Sequence, residues 1–160
     1  MHMTQPRSIR PVGPGLPVDI QAAGLPRRLA ALCYDSLLLL GPVAIYGFIV
    51  ALTRQQAGLP AETAWGSLGL VFIPAAFFCW FWTHGGQTLG MTAWRLKLVT
   101  QTGGPLSWRQ AIVRFCAAWL SIAALGMGFW WALFDRNKQT WHDQLAGTFM
   151  QRVPKPPTPR

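Results

Sequence analysis

Charge is scarce in this sequence. Only 5 of its 160 residues are acidic and 12% are charged, against 51% hydrophobic and a mean hydropathy of +0.26. A typical soluble domain is about 25% charged, so that class is excluded. Cysteine is sparse as well. Cys33, Cys79 and Cys116 all lie in apolar runs, with no CxxC and no His/Cys cluster at metal spacing. That leaves no metal site or redox pair to read, and the thiols are expected to be buried and free. No serine or cysteine nucleophile has an acid–base set around it. Gly85-Gly-Gln-Thr-Leu-Gly90 lacks the lysine of a phosphate loop and is not GxGxxG, so it reads as a turn. Nothing points to an enzyme, a cofactor or a metal, and no internal repeat is evident.

What is abundant is apolar and aromatic. Nine tryptophans and nine phenylalanines in a chain of this size indicate one small integral membrane domain. The net charge of +9 raises nucleic acid as a partner. The basic residues flank apolar runs without any recognition motif, so the lipid bilayer is the expected partner instead.

Three apolar segments divide the chain, at about 25–52, 64–82 and 111–134. The first is too long for a signal h-region and lacks a small-x-small cleavage site, so it is read as retained. Pro42 and Pro74 fall inside the first two and are expected to kink their helices. Trp80, Trp82, Trp130, Trp131 and Trp141 read as interfacial anchors. Residues 1–21 and 154–160 are proline-rich and read as disordered tails. Between the second and third segments, Arg95-Leu-Lys-Leu-Val-Thr100 alternates at strand period. Gly147-Thr-Phe-Met-Gln-Arg-Val153 is β-compatible too. Pairing of the two in a small sheet at the membrane surface is one expectation; unpaired loops are the other.

The fold class is therefore an all-α membrane protein with two or three transmembrane helices and a small cytoplasmic β-hairpin or sheet. Basic residues decide between two and three. Three full spans put nearly equal numbers on each side. If the third segment instead returns to the side it left, every basic residue but Arg54 faces the cytoplasm. Gly126-Met-Gly128 is the place for such a break. Both topologies place the amino terminus in the cytoplasm, at the inner membrane.

Asp35 is the only charge between Leu29 and Thr53. A carboxylate in a membrane helix costs at least ~2.5 kcal/mol by insertion scales, so it calls for a partner or a use. Arg28 lies seven residues earlier on the same helix face, but its side chain leans toward the amino terminus, away from Asp35. Arg114, a few residues into the third segment, is the expected partner. Asp143 follows the third segment and reads as a helix cap, a partner for an arginine, or an ion ligand; its neighbour His142 could tune its protonation.

These residues carry a resemblance. Gly24-Leu-Pro-Arg-Arg-Leu-Ala-Ala-Leu-Cys-Tyr-Asp35 resembles the first motif of the RDD family of small bacterial membrane proteins, named for one arginine and two aspartates. Gly86-Gln-Thr-Leu-Gly-Met91, Lys97-Leu-Val and Gly104-Pro-Leu-Ser107 are similar to its central stretch. Thr140-Trp-His-Asp-Gln-Leu-Ala-Gly-Thr148 is similar to its third motif. Where members often carry an aromatic before the arginine region, this chain has Leu25-Pro26. The resemblance spans 22–153 and assigns the namesake residues to Arg28, Asp35 and Asp143, with Arg114 where members often hold another arginine. It implies a membrane domain that is transport-related, through cation/proton exchange or small-ligand transport. A chain this small would transport as a homo-oligomer. The alternative is an accessory or scaffold protein that binds a membrane-protein partner through its cytoplasmic face.

Overall fold

The computed structural model describes residues 22–58, 65–135 and 137–154. The expected tails lie outside these residues, except for Pro154, as do Arg136 and residues 59–64 after the first helix. The chain is mostly helical. Its elements in order are α1 Leu25–Ala57, α2 Trp65–His84, α3 Leu89–Ala93, β1 Leu96–Thr100, α4 Trp108–Ala123, α5 Met127–Phe134, α6 Trp141–Leu145 and β2 Thr148–Arg152.

Local sequence explains the boundaries. Pro26 at the start of α1 loses only a backbone donor that has no helical partner there. Gly58 ends the helix in the left-handed conformation at φ 60°, its N–H bonding the carbonyl of Arg54. Both α1 and α2 continue as helices through their internal prolines. Ser107 opens α4 with a capping box: its hydroxyl accepts from the N–H of Gln110, and Oε1 of Gln110 accepts from the N–H of Ser107.

Of the expected spanning helices, α1 alone is long and apolar enough to cross a bilayer among the described residues. The described apolar part of α2 is shorter, Leu68–His84, and α4 with α5 would form a second span only as a bent pair. The bend is 97°. Leu125 and Gly126 both take positive φ, 54° and 77°, and turn the chain at the glycine that the sequence marks as the break. Gly128 then lets α5 fold back closely. A Cβ there would overlap the Ser121 side chain and come within 3.3 Å of Cβ of Trp141.

The two strand candidates do pair. β1 and β2 run antiparallel with Leu98 opposite Met150. The amino-terminal side of α1 joins them: Ala22 bridges Gln151, and the N–H of Ala23 donates to the carbonyl of Met150 at 3.0 Å. The turn after α2 joins them too, the N–H of Leu98 bonding the carbonyl of Gly86 at 2.7 Å. The start of α1, the end of α2 and the start of α4 thus gather at one sheet. The α4–α5 excursion leaves from β1 and returns, through α6, to β2.

The core is small and centred on this sheet, with Leu96, Leu98, Met150, Met91, Phe115 and Ala111 at its heart. Beyond Leu39, α1 buries no described side chain; Leu40, Ile45, Phe48 and Ile49 face outward. Such a sleeve of apolar side chains suits lipid rather than water. Three expectations need correction. Trp82 is buried and packs in the core, so it is not an interfacial anchor, whereas Trp80, Trp130 and Trp131 are exposed. Cys33 and Cys116 are exposed, and only Cys79 is buried. On α1 the inward stripe is Leu25, Arg28, Ala31, Asp35 and Leu39, and Cys33 lies off it. Asp35 does not pair with Arg114, for the reason given next.

Candidate functional site

Two buried polar clusters lie where α1 meets the sheet. The first is centred on Asp143. One carboxylate oxygen accepts from Nη1 of Arg28 and the other from Nη1 of Arg114. The Asp143 side chain has no solvent exposure. The carboxylate also accepts from the N–H of Thr140 at 3.2 Å, which caps α6. Nη1 of Arg114 makes a second bond, to Oγ1 of Thr148 at 2.9 Å, and Nε of Arg28 bonds the carbonyl of Ala23 at 3.0 Å. One carboxylate therefore holds α1, α4 and α6 together. Of the three readings of Asp143, capping and arginine pairing are both realised. Among the described residues no group of three or more His, Cys, Asp or Glu could hold a metal.

The electrostatics follow from this packing. Burial by itself raises the Asp143 pKa, but Arg114 and Arg28 more than offset it and hold the carboxyl far below the usual range. Burial pushes His142 down to about 3, helped by the positive charge of Arg114. His142 is thus neutral at pH 7, with its ring 4.9 Å from that of Phe129 on α5.

The second cluster holds Asp35. Its Oδ2 accepts from the Thr88 hydroxyl at 2.5 Å and its Oδ1 from the N–H of Gly90 at 2.8 Å. Both donors belong to the Gly85–Gly90 segment, which reads as a bare turn in the sequence. Thr88 also caps α3, accepting from the N–H of Met91 at 3.1 Å. Gly90 has no room for a side chain: a Cβ would overlap the carbonyl of Ala31 and lie 2.9 Å from Cγ of Asp35. Thr88 and Gly90 are the site residues that sequence reasoning missed. The signal available was a threonine and a glycine two apart in a glycine-rich segment facing an uncompensated helix acid.

Arg28 and Asp35 share a helix face as the spacing predicts, and they do not bond. Arg28 leans toward the amino terminus and meets Asp143. Arg114 is taken by Asp143 and Thr148, and stacks over Trp82 with Cζ 5.1 Å from the ring centroid. Asp35 is left with neutral donors and has no ionic partner among the described residues.

Both clusters border one cavity of about 370 Å³. Arg28, Asp35, Arg114 and His142 line its sheet end. Leu39, Val43, Pro74, Phe78, Trp119 and Ile122 line the rest. The family model that matches is the RDD family, over residues 22–147. The chain belongs to the RDD family. No curated protein and no solved structure matches it alongside. The RDD match covers α1 through α6, and so includes Arg28, Asp35, Arg114 and Asp143.

Proposed function

We propose that this RDD protein is a multi-pass inner-membrane protein that carries a small ligand through the cavity between α1, α2, α4 and α5, working as an oligomer. The cavity itself supports the reading most strongly: an apolar compartment of about 370 Å³ with charged residues at one end, in the size range of small-molecule sites. The gathering of chain segments at one sheet supports a cytoplasmic sheet and a re-entrant α4–α5. Arg95, Lys97, Arg109 and Arg152 are all exposed at that end, as the positive-inside rule asks of a cytoplasmic face. Small-ligand transport is favoured over cation exchange because each oxygen of Asp35 already takes a hydrogen bond and, among the described residues, no cluster of His, Cys, Asp or Glu stands with it to complete a cation's ligands.

One observation favours a scaffold role instead. The Arg28–Asp143–Arg114 cluster is closed in on itself and fixes three helices, as a purely structural device would. Reconstituted vesicles separate the readings. Loaded with a pH dye and given Na⁺, Li⁺ or K⁺ gradients, they should show no protein-dependent pH change. Given a labelled small-molecule extract of cells, they should accumulate a component that empty vesicles do not. Ala118→Trp, which fills the cavity wall, should abolish that uptake. Vesicles that accumulate nothing beyond the empty control would leave the scaffold reading.

A further inference from the structure

Among the described residues at the polar end of the cavity, four buried ring or guanidinium nitrogens have no hydrogen-bond partner: Nη2 of Arg28, Nε of Arg114, Nε1 of Trp82 and Nδ1 of His142. All four residues line the cavity, and each is more than nine-tenths buried. The nitrogens of Arg28, Arg114 and Trp82 can only donate; that of His142 donates or accepts according to its tautomer. The carboxylates do not serve them as the side chains stand: Asp143 accepts from Nη1 of each arginine and from Thr140, Asp35 from Thr88 and Gly90, and neither accepts from any of the four nitrogens. Unsatisfied buried donors are uncommon, and a cluster of them calls for a missing acceptor.

The rest of the cavity says what carries that acceptor. Polarity lies in the half nearer the sheet, where Asp35 and Ser36 reach about midway along the α1 wall. Beyond them the walls are apolar, on α1 from Leu39 to Val43 and on α4 from Ala118 to Ile122 except for the Trp119 ring nitrogen. On α1, Arg28 to Val43 is about 22 Å of helix, and the half farther from the sheet is the apolar one. A free inorganic anion would leave that apolar length unused, and an uncharged hydrocarbon would leave the donors unpaired. We infer that the cavity binds an acidic amphiphile: a carboxylate or phosphate head at Arg28, Arg114, Trp82 and His142, and an aliphatic tail between α1 and α4. The unpartnered nitrogens are closed off from solvent, so capture of the head involves a turn of these side chains toward the cavity. The inference rests on reading the cavity as a ligand compartment, and not on transport.

The test uses the full chain in nanodiscs of neutral phosphatidylcholine, with empty nanodiscs as the baseline. Radiolabelled dodecanoate and dodecyl phosphate should bind above baseline. Dodecanol, with the same tail and no acid, and inorganic phosphate, with no tail, should each bind about tenfold more weakly or worse. Trp82→Phe keeps an aromatic ring but removes the N–H together with the pyrrole half of the indole, so the two ligands are compared: it should weaken dodecanoate about tenfold more than it weakens dodecanol. Ala118→Trp should weaken both acids. Phosphatidylglycerol added to the nanodisc identifies the source. Displacement of dodecanoate assigns the site to a bilayer lipid, and no displacement assigns it to a free acid. Dodecanoate binding no tighter than dodecanol would overturn the head-group site. Phosphate binding as tightly as dodecyl phosphate would overturn the tail. Acid binding that survives Trp82→Phe and Ala118→Trp undiminished would place it outside this cavity. Binding without vesicle uptake would keep this inference and remove the transport reading.

Discussion

Arg28 donates to the carboxylate of Asp143 across 115 positions of sequence. The pair joins the first turn of α1 to α6. Because Arg114 takes the other oxygen, one aspartate neutralises part of two guanidinium groups and fixes three helices at once.

Asp143→Asn removes that shared charge and leaves two buried arginines without a counterion. Breaking a buried pair from one side costs ~3–5 kcal/mol. The variant should lose about that much stability in denaturant unfolding of the detergent-solubilised protein. Arg114→Met with Asp143→Asn together should cost less than the sum of the two single changes, since the partners are coupled. A loss for Asp143→Asn within the ~0.5 kcal/mol of a surface change would mean that the pairs hold nothing together.

His142 sets the pH response. In the fold its pKa is about 3, against an ordinary 6.5. Between those values the unfolded chain binds the extra proton and the folded one does not, so stability falls as pH falls from about 6.5 toward 3, by up to ~1.4 kcal/mol per unit. Asp143, held far below the usual range, keeps its contribution above about pH 4 and loses it only under stronger acid. Unfolding titrations between pH 7 and pH 4.5 should therefore slope in the wild type and flatten in His142→Phe. Equal slopes in the two proteins would remove His142 as the cause.

Gly90 is tested against its neighbour in the same segment. Gly90→Ala pushes a methyl into the Ala31 carbonyl and the Asp35 carboxylate, whereas a Cβ at Gly85 meets nothing within 4 Å. Overpacking costs ~1–3 kcal/mol. Gly90→Ala should show that loss in thermal or denaturant unfolding, and Gly85→Ala almost none. Similar values for the two would break the claim that α3 is docked on Asp35.

The sequence carries much of this fold in a few residues. Alternation in Leu96–Thr100 marks a strand, and Gly126 marks the corner between α4 and α5. The small number of acids makes Asp35 and Asp143 stand out. The partners of those acids are harder to read. Depth along a helix follows from counting residues, but the direction a side chain takes around the axis depends on which neighbour packs there. Counting residues suggests similar depths for Asp35 and Arg114, yet Asp143 ties Arg114 to Arg28, about two turns of α1 away from Asp35, and α3 docks against Asp35. Trp82 misleads for a related reason: its place at a helix end resembles an interfacial ring, but Arg114 draws it into the core.

Everything proposed for the cavity depends on α4 and α5 leaving the sheet and returning to it on one side of the membrane. Reporters fused in cells after Arg54 and after Arg152 measure this directly. A reporter after Arg152 should be cytoplasmic, on the same side as the amino terminus, and one after Arg54 should be periplasmic. A reporter after Arg152 that appears in the periplasm would contradict the re-entrant arrangement, and with it the one-sided sheet on which the cluster and the cavity are built.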